Sequence, residues 1–169
     1  GISVFFPRKP SRPDLDPEIG LVWALEERCL PNFLVPRDCP RVTYHLPPGM
    51  EADPRFFSSR TSRHVVAVEW DWFQAMRDVT LYLYEFYPDS FVLQDAAAGY
   101  YVSTRAETPV SVTVVPDVFA ALSARNVELR VVDNLWELCR AVQETAMHWS
   151  MCRMRNAKPP EGKFPLEGI

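Results

Sequence analysis

Two arginine-bearing tracts hold the residues of this chain that are best suited to chemistry. Pro36–Arg41 reads PRDCPR, and Arg153–Pro160 reads RMRNAKPP. Arginine is always charged, and its planar guanidinium group matches the shape of a carboxylate or a phosphate. The tracts therefore predict an arginine-lined pocket for an anionic small molecule. Its candidate ligand-binding residues are Arg37, Asp38, Arg41, Arg153, Arg155 and Asn156.

Each tract also has a purely structural explanation. Asp38 can cap a turn and pair with a nearby arginine, and exposed pairs of this kind add only about 0–1 kcal/mol. Cations that follow a helix complement the negative end of its dipole, which would account for Arg153 and Arg155. A third explanation is a strand in which these two arginines alternate with Met154 and project into a cleft. The sequence alone leaves the alternatives open.

One carboxylate and two aromatic side chains are further candidates. Glu85 lies on the same face of a predicted strand as Leu83, where an apolar residue is expected. A carboxylate on a buried face must be paired or titrate abnormally, which is frequent at active sites, so Glu85 is the catalytic candidate. The alternative is that the end of this strand is already exposed to water. Trp23 and Tyr101 could stack on a flat ring, although aromatic residues more often pack in a core.

The cysteine and histidine residues predict no metal site. Four cysteines are present without a CxxC pair, which indicates reduced, buried thiols. His148 and Cys152 would share one face of a helix and could share a metal ion there, but no second pair has ligand spacing. His64 and His148 could act as bases, and neither has a nucleophile nearby in the sequence.

The composition limits the class of protein. The 169 residues carry a net charge of −4, and 47% of them are hydrophobic, which is typical of a globular protein. An acidic chain is not expected to bind nucleic acid, and no segment approaches the roughly 18 apolar residues of a membrane span. We therefore expect a cytoplasmic protein without a membrane partner, whose oligomeric state is open. Because the chain starts at Gly1 and not at methionine, we also expect residues upstream of it.

Strand signals outnumber helix signals along the chain. Strands are predicted at Leu21–Leu25, Arg41–Leu46, Val65–Trp70, Thr80–Phe86, Phe91–Gln94, Gly99–Ser103, Val110–Val115 and Val127–Val132. Helices are predicted at Glu26–Leu34, Asp71–Arg77, Asp117–Arg125 and from Leu135 to about Trp149, with Asp71 and Asn134 as caps. The helices do not alternate regularly with the strands. The pattern predicts a single α+β domain over residues 1–158, with a curved mixed or antiparallel sheet, a few peripheral helices and a C-terminal tail over residues 159–169.

Distinctive strings are spread over most of the chain, among them VWALEERCLPNFLVPRDCPRVTY, LYLYEF, GYYVS and RMRNAKPP. On these strings the chain resembles an uncharacterised bacterial protein family, a domain of unknown function. The resemblance implies no activity. In that family a short strand with a histidine precedes the segment that matches Gly1–Arg8, which agrees with residues upstream of this chain.

A more distant similarity is to ADP-ribosyltransferase-like folds. These carry an aromatic residue on the second strand, which Trp23 would match, and a glutamate on a later strand, near the region of Glu107. The similarity implies an enzyme acting on NAD or another nucleotide phosphate, with Arg37 and Arg41 on the phosphate and Glu85 on the ribose. Apart from it, the residues call for no cofactor. The competing hypothesis is a non-catalytic module that binds a small anion or a partner protein.

Overall fold

Strands and short helices alternate irregularly in the computed structural model, which describes residues 1–10 and 14–160. The strands are β1 (Val22–Leu25), β2 (Arg41–His45), β3 (His64–Glu69), β4 (Leu81–Glu85), β5 (Val92–Asp95), β6 (Tyr100–Ser103), β7 (Ser111–Val115), β8 (Val127–Val132) and β9 (His148–Cys152). The α-helices are α1 (Phe73–Asp78), α2 (Val118–Ala124) and α3 (Trp136–Gln143). Short 3₁₀ helices cover Glu27–Phe33, Trp70–Trp72, Pro88–Ser90 and Met154–Asn156. The predicted α+β class is confirmed.

The chain divides into two compact units. The first unit comprises Gly1–Leu30 and Thr80–Pro116, and the second comprises Pro31–Val79 and the chain from Asp117 onward. The single domain over residues 1–158 stays a prediction, and most of the predicted tail, from residue 161, lies outside the described residues. None of the helices in the described ranges has the length and apolar character that a membrane crossing requires.

The first unit contains two small antiparallel sheets. One has the strand order β1-β6-β5, and the other is the two-stranded ribbon of β4 and β7. Trp23 lies opposite Val102 and Ala24 lies opposite Tyr101 in this pairing. Because successive side chains of a strand point to opposite faces, Trp23 and Tyr101 face opposite sides of their sheet.

The second unit is built on a four-stranded mixed sheet with the order β8-β3-β2-β9. Strands β2 and β3 pair antiparallel, β2 and β9 pair antiparallel, and β3 and β8 pair parallel. The two central strands are buried along their whole length. Their β-branched and aromatic composition suits such a position.

One face of this sheet carries the hydrophobic core. Val42 and Tyr44 of β2 and Val65 of β3 cluster there with Leu135 and Val142, which belong to α3 and the residue before it. All five are essentially inaccessible to solvent. The buried hydroxyl group of Tyr44 donates a hydrogen bond of 2.7 Å to the Phe56 carbonyl oxygen.

The last helix is shorter than its sequence predicts. Instead of continuing to Trp149, α3 ends at Gln143, and β9 follows as a strand that the sequence reading missed. The Thr145 hydroxyl donates to the Val142 carbonyl oxygen at 2.7 Å and accepts from the Met147 N–H, which turns the chain out of the helix. Pairing with β2 then overrides the local helical pattern. His148 and Cys152 therefore do not have the helical spacing that a shared metal ion would use.

The second arginine tract is not a strand. β9 ends at Cys152, Arg153 adopts a left-handed conformation with φ of 56°, and Met154–Asn156 form a 3₁₀ turn. The predicted alternation of Arg153 and Arg155 about Met154 is therefore wrong. Asp71 also does not cap a helix, because it lies inside the 3₁₀ helix that precedes α1. Asn134 does act at the start of α3, where its side-chain oxygen accepts from the Trp136 N–H at 2.9 Å.

Candidate functional site

The fold of the second unit brings the two arginine tracts together. Arg41, the first residue of β2, lies opposite Cys152, the last residue of β9, so the segments outside these residues are neighbours. The Asn156 side-chain amide donates to the Asp38 carbonyl oxygen at 2.8 Å. The Arg153 Nε atom lies 3.8 Å from Asp38 Oδ1. Asp38 therefore connects the first tract to the second.

Arg41 is the buried member of this group, with 3% of its surface exposed. Its Nε donates to the Asn32 carbonyl oxygen at 3.0 Å, and its Nη1 donates to the Cys39 carbonyl oxygen at 3.1 Å. The ring of Phe33 lies against the guanidinium group, 4.6 Å from ring centre to Cζ. No carboxylate of the described residues forms an ion pair with it. Within hydrogen-bond and ring-contact distance, the guanidinium group of Arg41 is therefore held by two carbonyl oxygens and the face of a phenyl ring.

The other arginines of the tracts reach solvent. Arg37 and Arg155 are exposed, and neither forms a hydrogen bond or ion pair with any described residue. Arg153 is partly engaged by Asp38, and its side chain is 37% exposed. The surface where the tracts meet therefore combines one buried guanidinium group with two exposed ones that have no internal partner.

A row of three histidines, which the sequence reading missed, lies on the same face of the sheet as Arg41. His45 of β2 is directly opposite His64 on one neighbouring strand and His148 on the other. The rings of His45 and His64 stack at 5.0 Å with an interplanar angle of 24°, and the His148 ring meets His45 edge-on at 5.1 Å. The signal that could have found the row is the strand register, since each histidine starts or ends its strand.

His64 is held as a neutral imidazole. Burial, and to a smaller extent the neighbouring His45, lowers the pKa of His64 from its ordinary 6.5 to about 3. Its Nε2 lies 2.8 Å from the Asn32 side-chain oxygen. The same Asn32 accepts from Arg41 through its backbone, so one buried residue contacts both the histidine row and the arginine tract.

Metal and thiol chemistry find little support at this face. Among the described residues, no group of three or more His, Cys, Asp or Glu side chains has an arrangement that could hold a metal ion. Burial raises the pKa of Cys39 to about 12, which keeps its thiol protonated and unreactive. Burial likewise raises the pKa of Cys29, in the first unit, to about 11.

The remaining predicted site residues belong to the first unit. Glu85 is exposed at the end of β4, where its carboxylate accepts a hydrogen bond of 2.5 Å from the Ser111 hydroxyl. It thus has the solvent-exposed position that the sequence left as the alternative. Trp23 is 36% exposed and its ring meets the edge of Tyr100. Hydrogen bonds from Ser103 and Ser90 lower the pKa of Glu107.

Among the described residues of the second unit, Glu69 is the fully buried carboxylate, and its contacts explain it structurally. Glu69 is 1% exposed and accepts from the Leu135 N–H at 3.3 Å and from the Lys158 N–H at 3.0 Å. It thereby satisfies a donor at the start of α3 and fastens the chain after the second arginine tract.

The fold and the site define an α+β protein with a polar sheet face that ends at two converging arginine tracts. A family model matches residues 1–157, and the chain belongs to that family, a family of unknown function, DUF6886. No curated protein and no solved structure matches the chain. The similarity to ADP-ribosyltransferase-like folds therefore stays a prediction.

Proposed function

We propose that the protein binds a small anionic molecule where its two arginine tracts meet. The observation that carries this proposal is the guanidinium group of Arg41, which is buried without a carboxylate partner among the described residues. Burying an unpaired charge is costly, and folded proteins usually pair it. An anion bound beside it would supply the missing charge.

The chemistry of the neighbouring side chains favours an oxyanion. The Nη2 atom of Arg41 donates to no described residue, and the guanidinium groups of Arg37 and Arg155 are exposed without internal partners. Planar guanidinium forks bind phosphate and carboxylate through two parallel hydrogen bonds. Asp38 repels an anion by itself, but its contact with Arg153 and its backbone bond to Asn156 give it the role of holding the two tracts together.

The proposal covers free oxyanions and phosphate groups carried by larger molecules. In the nucleotide version, which rests on the distant similarity, the two tracts would bind the phosphate groups of NAD or ADP-ribose. Pyrophosphate tests the shared chemistry, and NAD and ADP-ribose test the nucleotide version. If NAD and ADP-ribose bind no more tightly than pyrophosphate, the ligand is recognised by its charge alone.

The experiment is calorimetric titration of pyrophosphate at low salt into the unchanged protein and into matched variants. Arg37→Gln combined with Arg155→Gln should weaken binding at least roughly tenfold, since each charge-assisted hydrogen bond contributes about 1.5–3 kcal/mol. Arg77→Gln, which removes an exposed charge from α1 in the same unit, is the control and should change affinity less than about twofold. Equal losses in both variants, or no binding to the unchanged protein, would refute the proposal.

A further inference from the structure

A cleft lies on the face of the sheet that carries the hydrophobic core, beside the end of α3. It has a volume of about 270 Å³. Leu46, Phe56 and Met147 form its floor and are each at most 8% exposed, and the half-buried Met50 flanks them. Methionine side chains adapt to ligands of different shapes, and an apolar floor gives a ligand surface to bury. None of these residues belongs to the arginine tracts.

The rim of the cleft is acidic. Glu51, Asp53 and Glu144 line it together with one cation, Arg55. Arg55 is already neutralised, because its guanidinium group donates to the Asp53 carboxylate at 2.6–3.2 Å. Glu51 and Glu144 are exposed and have no hydrogen bond or ion pair with a described residue. Two uncompensated carboxylates therefore flank the apolar floor.

The end of α3 adds to this negative field. The helix ends at Gln143, and Glu144 and Thr145, which line the cleft, follow directly. The C-terminus of a helix carries a partial negative charge, where a cation is favourable and a glutamate is not. Glu144 thus adds negative charge at the negative end of the helix, one turn after Arg140, the basic residue of its last turn.

We propose that this cleft binds a small molecule with an apolar body and a protonated amine. The apolar body lies on Phe56, Leu46 and Met147, and the ammonium group lies between Glu51 and Glu144. The volume fits one aromatic ring with a short aliphatic arm, since it is slightly below the ≈ 300–1,000 Å³ usual for ligand sites. This site is separate from the proposed anion site and has the opposite charge preference.

The test uses phenethylamine with its neutral analogue phenethyl alcohol and its anionic analogue hydrocinnamate, titrated into the full chain by NMR. The amine should bind roughly threefold to tenfold more tightly than the alcohol, and hydrocinnamate should bind more weakly than both. In the double variant with Glu51→Gln and Glu144→Gln, the amine should fall to the affinity of the alcohol, whose own binding should not change.

Glu137→Gln is the matched control, because Glu137 is exposed on the first turn of α3 and does not line the cleft. It should leave the affinity for the amine unchanged, and unaltered melting temperatures should show that all variants fold. Equal affinity for the amine and the alcohol would overturn the proposal. So would an amine that fails to bind, or a double variant that binds it as before.

Discussion

The two faces of the second unit's sheet use the same strands in different ways. Along β2, Val42 and Tyr44 point into the hydrophobic core, whereas Arg41, Thr43 and His45 point to the other side. All five are buried. On the core side, burial removes apolar surface from water, which stabilises the fold by roughly 25 cal/mol per Å². On the polar side, burial costs solvation that hydrogen bonds only restore.

The difference distinguishes residues that stabilise the fold from polar residues that a binding site would use. The face packed against α3 carries the hydrophobic core, and the other face combines these polar side chains with the buried Val66 and Val68 of β3. The polar side chains there are held in place, with Asn32 contacting both Arg41 and His64. Buried polar side chains that are held in fixed positions but add little stability are expected at a functional site. Substitutions on the two faces should therefore differ in their effect on stability and binding.

The largest effect is expected on the apolar face. Tyr44→Ala removes a ring with no solvent exposure and should lower the free energy of unfolding by about 3–5 kcal/mol, because a cavity replaces it. Tyr44→Phe removes only the hydroxyl that bonds the Phe56 carbonyl oxygen and should cost about 1 kcal/mol. Urea unfolding measures both. Similar losses in the two variants would mean that the hydroxyl group, and not the ring, stabilises this face.

The next effect is a pH dependence that arises on the polar face. The pKa of His64 is lowered from 6.5 to about 3. Between these two pH values, His64 is protonated in the unfolded chain and neutral in the folded chain. The stabilisation from neutral His64 is full above about pH 6.5 and is lost as the pH falls toward 3. At about pH 4.5 the loss should be roughly 2–3 kcal/mol relative to about pH 8.

Carboxylates also titrate in this range, so the unchanged protein is compared with His64→Gln. Urea unfolding of both proteins at about pH 8 and about pH 4.5 isolates the histidine contribution. The variant should lose less stability on acidification than the unchanged protein. If both lose the same amount, His64 is accessible to protons in the folded state and the polar face is open to water.

A smaller effect is expected from a single hydrogen bond of the polar face. The Thr43 hydroxyl of β2 donates to the Ser150 carbonyl oxygen of β9 at 2.9 Å, and both residues are buried. Thr43→Val keeps the shape and removes the donor, so the free energy of unfolding should fall by about 1 kcal/mol. A loss above about 3 kcal/mol in urea unfolding would show that this face contributes to stability as much as the core does.

The smallest effect is expected at Glu85, in the first unit. Its exposed carboxylate bonds only the Ser111 hydroxyl among the described residues, so Glu85→Gln should change stability by less than about 0.5 kcal/mol. Thermal unfolding checks this value. A larger loss would mean that the strand end is less exposed to water than its position indicates, and would revive Glu85 as a catalytic candidate.

The sequence predicted most strands because their β-branched and aromatic runs end at proline or glycine. It could not predict β9, since HWSMC continues a helical pattern and becomes a strand only by pairing with β2. The same pairing joins the two arginine tracts and aligns His148 with His45. Local residue patterns do not predict which distant strands pair or in which register.

The tracts themselves were predicted as site residues, and they do meet. The sequence could not show which arginine would be buried. Arg41 is enclosed, whereas Arg37 and Arg155 are exposed, although all three are the same residue type. The acidic cleft left no sequence signal, since its floor and rim come from segments on both sides of β3, far apart in the chain.

The most direct test of the account is to measure both stability and pyrophosphate binding in Arg41→Met. This change replaces a buried charge with an apolar side chain of similar length, which is often tolerated. We predict a free energy of unfolding within about 2 kcal/mol of that of the unchanged protein, because two carbonyl oxygens lose their donor while the cost of the buried charge disappears. We also predict that the affinity for pyrophosphate falls at least roughly a hundredfold. A variant that loses much more stability yet binds pyrophosphate as before would show that Arg41 is structural and contradict the account.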